Sequence, residues 1–153
     1  MKSFKYLISA ALIGALFTYS GCSKSSTPAL SVKDQQLKSL SRTWKCTSAT
    51  LLGSNMAPLY DNFQLTISGT PGNDTFGYTT TGRPPGLKSS PWPASGTFTF
   101  GTDPSTLVIR DDNLPVTYAV SSTQLQMTFD YTGPGFNGRV GAITGVWVYT
   151  FGL

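Results

Sequence analysis

The residues of this chain able to do covalent or acid–base chemistry are few. Two cysteines, Cys22 and Cys46, and seven aspartates are present; there is no histidine and no glutamate. Without histidine, the serine–histidine and cysteine–histidine nucleophile pairs are excluded, as are most transition-metal sites. Asp111 and Asp112 are adjacent in "RDDN", Arg110 to Asn113. Paired carboxylates suit calcium ligation or glycoside hydrolysis. Adjacent strand residues point to opposite faces, however, and no full calcium loop surrounds them. Residue chemistry therefore predicts no catalytic residue, no metal site and no cofactor, and reads the chain as other than an enzyme. The cysteine with a chemical role in view is Cys22, because of what precedes it.

Lys2 and Lys5 open the chain, and an apolar run follows from Tyr6 to Phe17. A basic segment followed by about a dozen apolar residues has the proportions of a secretory signal peptide. As a helix that run reaches only about 18 Å, against a hydrocarbon core of roughly 30 Å. Ser20 and Gly21 are small, as a signal peptidase requires, and Cys22 follows at once, with Tyr19 before them. This stretch resembles the lipobox of bacterial lipoproteins. The resemblance implies a thiol acylated with diacylglycerol and cleavage before Cys22, which becomes a lipidated N-terminus. Two or three acyl chains hold firmly where one holds marginally, at about 0.8 kcal/mol per buried methylene. Ser23 in place of aspartate implies the outer membrane, facing either the periplasm or the surface. The expected organisation is a signal peptide over residues 1–21, a flexible tether over 22–31 and one β-domain over 32–153.

Cutting before Cys22 removes Lys2 and Lys5 and no acid, taking the formal charge from +4 to +2. No Lys/Arg run exists, so neither nucleic acid nor an anionic surface is supported as a partner. The expected membrane contact is the lipid on Cys22. Cys46 is then left without an intramolecular partner and reads as a small, buried strand residue.

"SKSSTPALS", Ser23 to Ser31, has no apolar period and spans roughly 15–20 Å as a coil. "VKDQQLKSL", 32–40, has apolar residues at 32, 37 and 40 and is the one helical candidate. From Arg42 onward, short Thr-, Val- and aromatic-rich runs are punctuated by Gly, Pro and Asn. Eight strands are expected, over 42–51, 59–68, 75–81, 97–100, 106–111, 115–120, 123–131 and 143–151. Alternation in most of them implies antiparallel sheet with one wetted face. Eight short strands fit an up-and-down barrel or a sandwich, and a barrel also removes exposed edges. In the last strand Trp147, Tyr149 and Phe151 share one face while Val146 and Val148 share the other. Both faces being apolar, this strand is expected to be central or to close a barrel.

"LSRTW" (40–44), "GTFTF" (96–100), "GVWVY" (145–149) and "YAVSSTQLQMTF" (118–129) together resemble the small lipocalin-like lipoproteins of Gram-negative bacteria. Arg42 stands where the lipocalin Gly-x-Trp signature has glycine. The resemblance implies an all-β fold, an eight-stranded antiparallel barrel with a short N-terminal helix, and Trp44 closing one end. It implies no reaction.

An eight-stranded barrel is either filled by side chains or holds one small ligand. The candidate lining is Phe63, Leu65, Phe98, Phe100, Met127, Phe129 and Trp147, residues that a solid core would equally contain. "SPWPAS" places Trp92 between Pro91 and Pro93, which stiffen the backbone. Trp92 is a candidate to stack on a sugar ring or guard the barrel mouth; folding back over the barrel is the structural alternative. Two functions follow: an interior site for a small apolar or amphipathic ligand, or a surface module binding carbohydrate or protein through Trp92.

Overall fold

The structure, a computed structural model, describes residues 29–84, 91–133 and 143–153. Cys22, the signal peptide expected over 1–21 and residues 22–28 of the expected tether lie outside them, as do residues 85–90 and 134–142.

Among the described residues one α-helix, α1 (Val32–Leu40), precedes nine strands: β1 (Thr43–Leu51), β2 (Ser54–Asn55), β3 (Gln64–Ser68), β4 (Phe76–Thr81), β5 (Ser95–Phe100), β6 (Leu107–Arg110), β7 (Pro115–Val120), β8 (Gln124–Tyr131) and β9 (Gly145–Gly152). β2 only turns back on the end of β1, pairing Thr50 with Asn55. The other eight form an antiparallel meander, and β9 pairs with both β8 and β1, so the sheet closes into a barrel. The last strand is the closing strand, as its two apolar faces predict. A bulge between Cys46 and Ser48 in β1 sits within that seam.

In such a meander the connections alternate between the two ends. Helix α1 plugs one of them. Ser31 caps it, its Oγ accepting from the Asp34 amide at 3.1 Å. Leu37 and Leu40 are its buried face. Asp34 accepts from the Gly72 amide at 2.8 Å, and Lys33 pairs with Asp74, tying the helix to the β3–β4 connection. Tyr118 Oη donates to the Pro104 carbonyl and contacts Gln36, tying in the β5–β6 connection. Trp44 is fully buried beneath the helix, its indole N–H donating to the Leu40 carbonyl at 2.9 Å. Arg42 lies 5.2 Å over the Trp44 ring and donates to the Ser122 carbonyl. Arg42 thus covers the Trp44 ring.

The strand expected over 59–68 is shorter than its sequence suggests. Ala57–Leu59 forms a 3-10 turn, with Pro58 in its first positions and the Asn55 side chain accepting from the Ala57 amide at 2.9 Å. Phe63 therefore precedes β3, although it still points into the core. A proline without an N–H and an asparagine side chain that folds back on the Ala57 amide outweigh local β propensity here.

Candidate functional site

The barrel interior is built by alternation. Val108 and Arg110 of β6, Val116 and Tyr118 of β7, Leu125, Met127 and Phe129 of β8, and Trp147, Tyr149 and Phe151 of β9 all point inward. Tyr149 is the hub. Phe129, Trp147 and Phe151 stack against it at 5.9, 5.5 and 5.9 Å between ring centroids. Phe63 packs 5.6 Å away and Tyr60 meets it edge-on at 5.2 Å.

Trp92 enters from the β4–β5 connection, at the end opposite α1. It is 3 % exposed, with its ring 5.7 Å from Tyr78 and 5.4 Å from Phe129. The exposed stacking platform suggested by "SPWPAS" is not formed. The stiff Pro91–Pro93 segment turns the indole inward, where it is covered by apolar side chains and by a cation. That cation is Arg110, whose guanidinium carbon lies 4.9 Å over the Trp92 ring.

Arg110 went unremarked beside its two acidic neighbours, although the signal was present. In "LVIR" it shares parity with Val108, which puts it on the inward face of β6. Its side chain is 2 % exposed. One terminal nitrogen, Nη1, donates to the Pro91 carbonyl at 2.7 Å, and Nη2 donates to Asp112 Oδ2 at 2.6 Å, while Asp112 is 47 % exposed. The Nε–H is buried with no hydrogen-bond partner, and so is the Tyr78 hydroxyl. An unsatisfied buried donor costs about 1–3 kcal/mol. Native structures tolerate few such groups, and each calls for an explanation. Asp111 Oδ2 accepts from the Thr97 amide at 2.9 Å and borders, with the Tyr78 hydroxyl, the space beside Gly96. Among the described residues no group of three or more potential metal ligands comes together.

Between the two plugs lies a cavity of about 10 Å³, lined by Leu40 from the helix end, by Trp92 and Arg110 from the other, and by Ile67, Tyr78, Phe98, Val108 and Met127 between them. That is room for about one water. Of the expected lining, Phe98 and Met127 border it. Phe63, Phe129 and Trp147 instead belong to the packed aromatic stack around Tyr149. Tyr78 was missed because its alternation in β4 reads as ordinary core. It lies across Gly96 of β5, where an added Cβ would stand 2.4 Å from its Oη. Glycine there makes room for the phenol.

Burial holds the interior phenols and the Cys46 thiol neutral. Burial pushes the Tyr78 phenol up to about 12, with Arg110 pulling the other way. Burial raises Tyr118, and burial followed by neighbouring Tyr60 raises Tyr149. Burial also pushes the Cys46 thiol up to about 11, so it is a thiol and not a thiolate at neutral pH. A group whose folded pKa is raised contributes stability below its unfolded pKa and loses it as pH climbs toward the folded value. Urea-unfolding midpoints are therefore expected to be flat from about pH 6 to 8, with no histidine step near 6.5. They should fall above about pH 9, first through Cys46 and then, past pH 10, through the tyrosines at about 1 kcal/mol per unit each. A midpoint unchanged at pH 11 would contradict this assignment.

Fold and site together define a class: a closed eight-stranded antiparallel β-barrel with an aromatic interior, one end sealed by a helix and the other by a tryptophan lying on a buried arginine. Compared with family models, with curated proteins and with solved structures, the chain matches none.

Proposed function

We propose that this chain is a lipocalin-like lipoprotein of the bacterial envelope, anchored in the outer membrane through Cys22, whose barrel takes a small apolar or amphipathic ligand at the end closed by Trp92. The observation that carries the ligand reading is the asymmetry of the two plugs. At the helix end, Trp44 is fully buried and hydrogen-bonded under a capped helix. At the other end a side chain from outside the sheet fills the barrel above a cavity, over a guanidinium whose hydrogen bonding is incomplete. A plug of that kind can be exchanged for a ligand without breaking a strand ladder. A tether ending at Ser31 joins the barrel at the helix end, the end opposite Trp92.

The surface-module alternative has less support, since Trp92, its named contact, is turned inward. Native mass spectrometry of the full-length protein, extracted gently from its own membrane, tests both parts. The expected spectrum shows a chain beginning at Cys22 and carrying acyl mass, plus a small adduct that leaves on activation. Cys22→Ala should lose the acyl mass and the membrane association while retaining the adduct. An unacylated chain would overturn the anchor. A bare protein mass, with no response of tryptophan fluorescence to added alkyl compounds, would overturn the ligand reading.

A further inference from the structure

We infer that the outer wall of β6 to β9 is an interface, and that its partner is a second copy of this chain, turned end for end so that Asp130 of each copy meets Lys45 of the other. The pairing does not depend on the ligand reading.

The outside of the barrel has two unlike halves. On β3, β4 and β5 the outward positions hold threonine, serine, glutamine and glycine, with no aliphatic among them. The wall of β6, β7 and β9 instead turns Leu107, Ile109, Pro115, Ala119, Val146 and Val148 outward. Alternation gives these strands a separate, buried set for the core, so the outward set does not serve it. Val146 is 42 % exposed. Register joins these residues into one surface. Leu107, Thr117, Thr128 and Val148 stand side by side across the four strands, and Ala119, Gln126 and Thr150 form the next row.

Two hollows lie on this wall, of about 290 and about 200 Å³, and Ala119 and Gln126 line both. Side chains of a facing surface have room to enter there. Five strands, β1 included, spaced about 4.8 Å and about seven residues long at about 3.3 Å each, give a face of about 550 Å² per copy. Two such faces amount to about 1,100 Å², the size of a transient pair and not of an obligate one.

Charge chooses the partner. Across β6 to β9 the one charged side chain that faces outward is Asp130, as interface centres, which are depleted of charge, require. On the flanking strand β1 the outward charge is Lys45. Asp130 pairs with Val146 at the start of β9 and Lys45 with Gly152 at its end, six residues along that strand and about 20 Å apart. Within one chain the two cannot touch. Both are exposed, and neither belongs to the ion pairs found among the described residues. Opposite charges at opposite ends of one face are what a two-fold needs to match the face with itself. Such rim pairs add little affinity; they set orientation.

The experiment is cross-linking of intact cells producing the full-length chain with a water-soluble carbodiimide, which joins a carboxylate to an amine only where the two touch. The expected product is a covalent dimer whose linked peptides join Asp130 of one copy to Lys45 of the other. Ala119→Arg sets a charge in the middle of the face and should lower the yield of that dimer at least about tenfold, with the urea-unfolding midpoint unmoved. Asp130→Lys should lose the link, and Asp130→Lys together with Lys45→Asp should restore it through the exchanged groups, which residues of merely structural role would not do. No covalent dimer, or one linked only elsewhere, would overturn the pairing. A link that survives Ala119→Arg undiminished would overturn the face.

Discussion

Trp147→Ala is expected to remove about 3–5 kcal/mol of stability, the range for emptying a large aromatic from a core. Trp147 is fully buried, stacks on Tyr149 at 5.5 Å and 11°, and takes the edge of Tyr60 at 5.7 Å. Its indole N–H also donates to the Ile143 carbonyl at 2.8 Å, holding the approach to β9 against the barrel. Truncation opens a cavity in the strand that closes the sheet on β1 and leaves that carbonyl without its donor. A loss of this size is a large share of a single domain's stability. Trp147→Phe, which keeps one stacked ring but drops the hydrogen bond and the volume of the second ring, should cost less, about 2–3 kcal/mol. Urea unfolding reads both variants. Were alanine and phenylalanine to cost the same, the aromatic stack would not be what secures the closing strand.

The second large effect is at Gly82, just after β4. Its φ is +64°, and a Cβ there would sit 1.8 Å from the carbonyl oxygen of Asn62 and 2.4 Å from its carbonyl carbon. Both obstacles are backbone, so no side-chain rotation relieves the contact. Gly82→Ala is expected to cost about 3 kcal/mol or more, combining about 1–3 of backbone strain with about 1–3 of overpacking. Gly53 supplies the control. Its φ is +79°, yet nothing lies within 4 Å of an added Cβ, so Gly53→Ala carries the backbone term alone, about 1 kcal/mol. Equal losses in urea unfolding would mean that the close approach of the chain before β3 to the end of β4 does not demand glycine.

These two positions differ in how far the sequence announces them. Trp147 lies in "GVWVYTF", where alternation marks it as inward, and both faces of the strand being apolar marks it as covered on each side. The helix over 32–40, all eight barrel strands and the closing role of the last one were legible in the same way. Each rests on a local period of side chains, and local periods are written in the chain. Gly82, by contrast, reads as one more glycine before "RPPG". Only the register that sets Gln64 opposite Thr81 brings the Asn62 carbonyl beneath it.

The candidate site divides along the same line. Phe63, Phe98, Phe129 and Trp147 were recognisable as inward aromatics, because hydrophobic residues at alternate positions must face a core whatever the topology. Whether they surround a hollow or pack on one another depends on closure, on helix α1 and on where the β4–β5 connection puts Trp92. None of those is a property of a single strand. The structure answers with an aromatic stack around Tyr149 and a cavity of about 10 Å³. Arg110 is the instructive case, since its parity with Val108 points inward while its neighbours in the chain are the two acids of RDDN.

By itself, then, the sequence determined the elements, their faces, the lack of histidine and glutamate, and the cysteine that follows a basic and apolar N-terminal run, since each is a matter of residue type and short-range spacing. Tertiary structure alone decided that Trp92 is buried, that it lies on Arg110, and that the barrel is filled. Those depend on contacts between segments far apart in the chain, whose approach is set by strand register and closure and leaves no mark on local pattern.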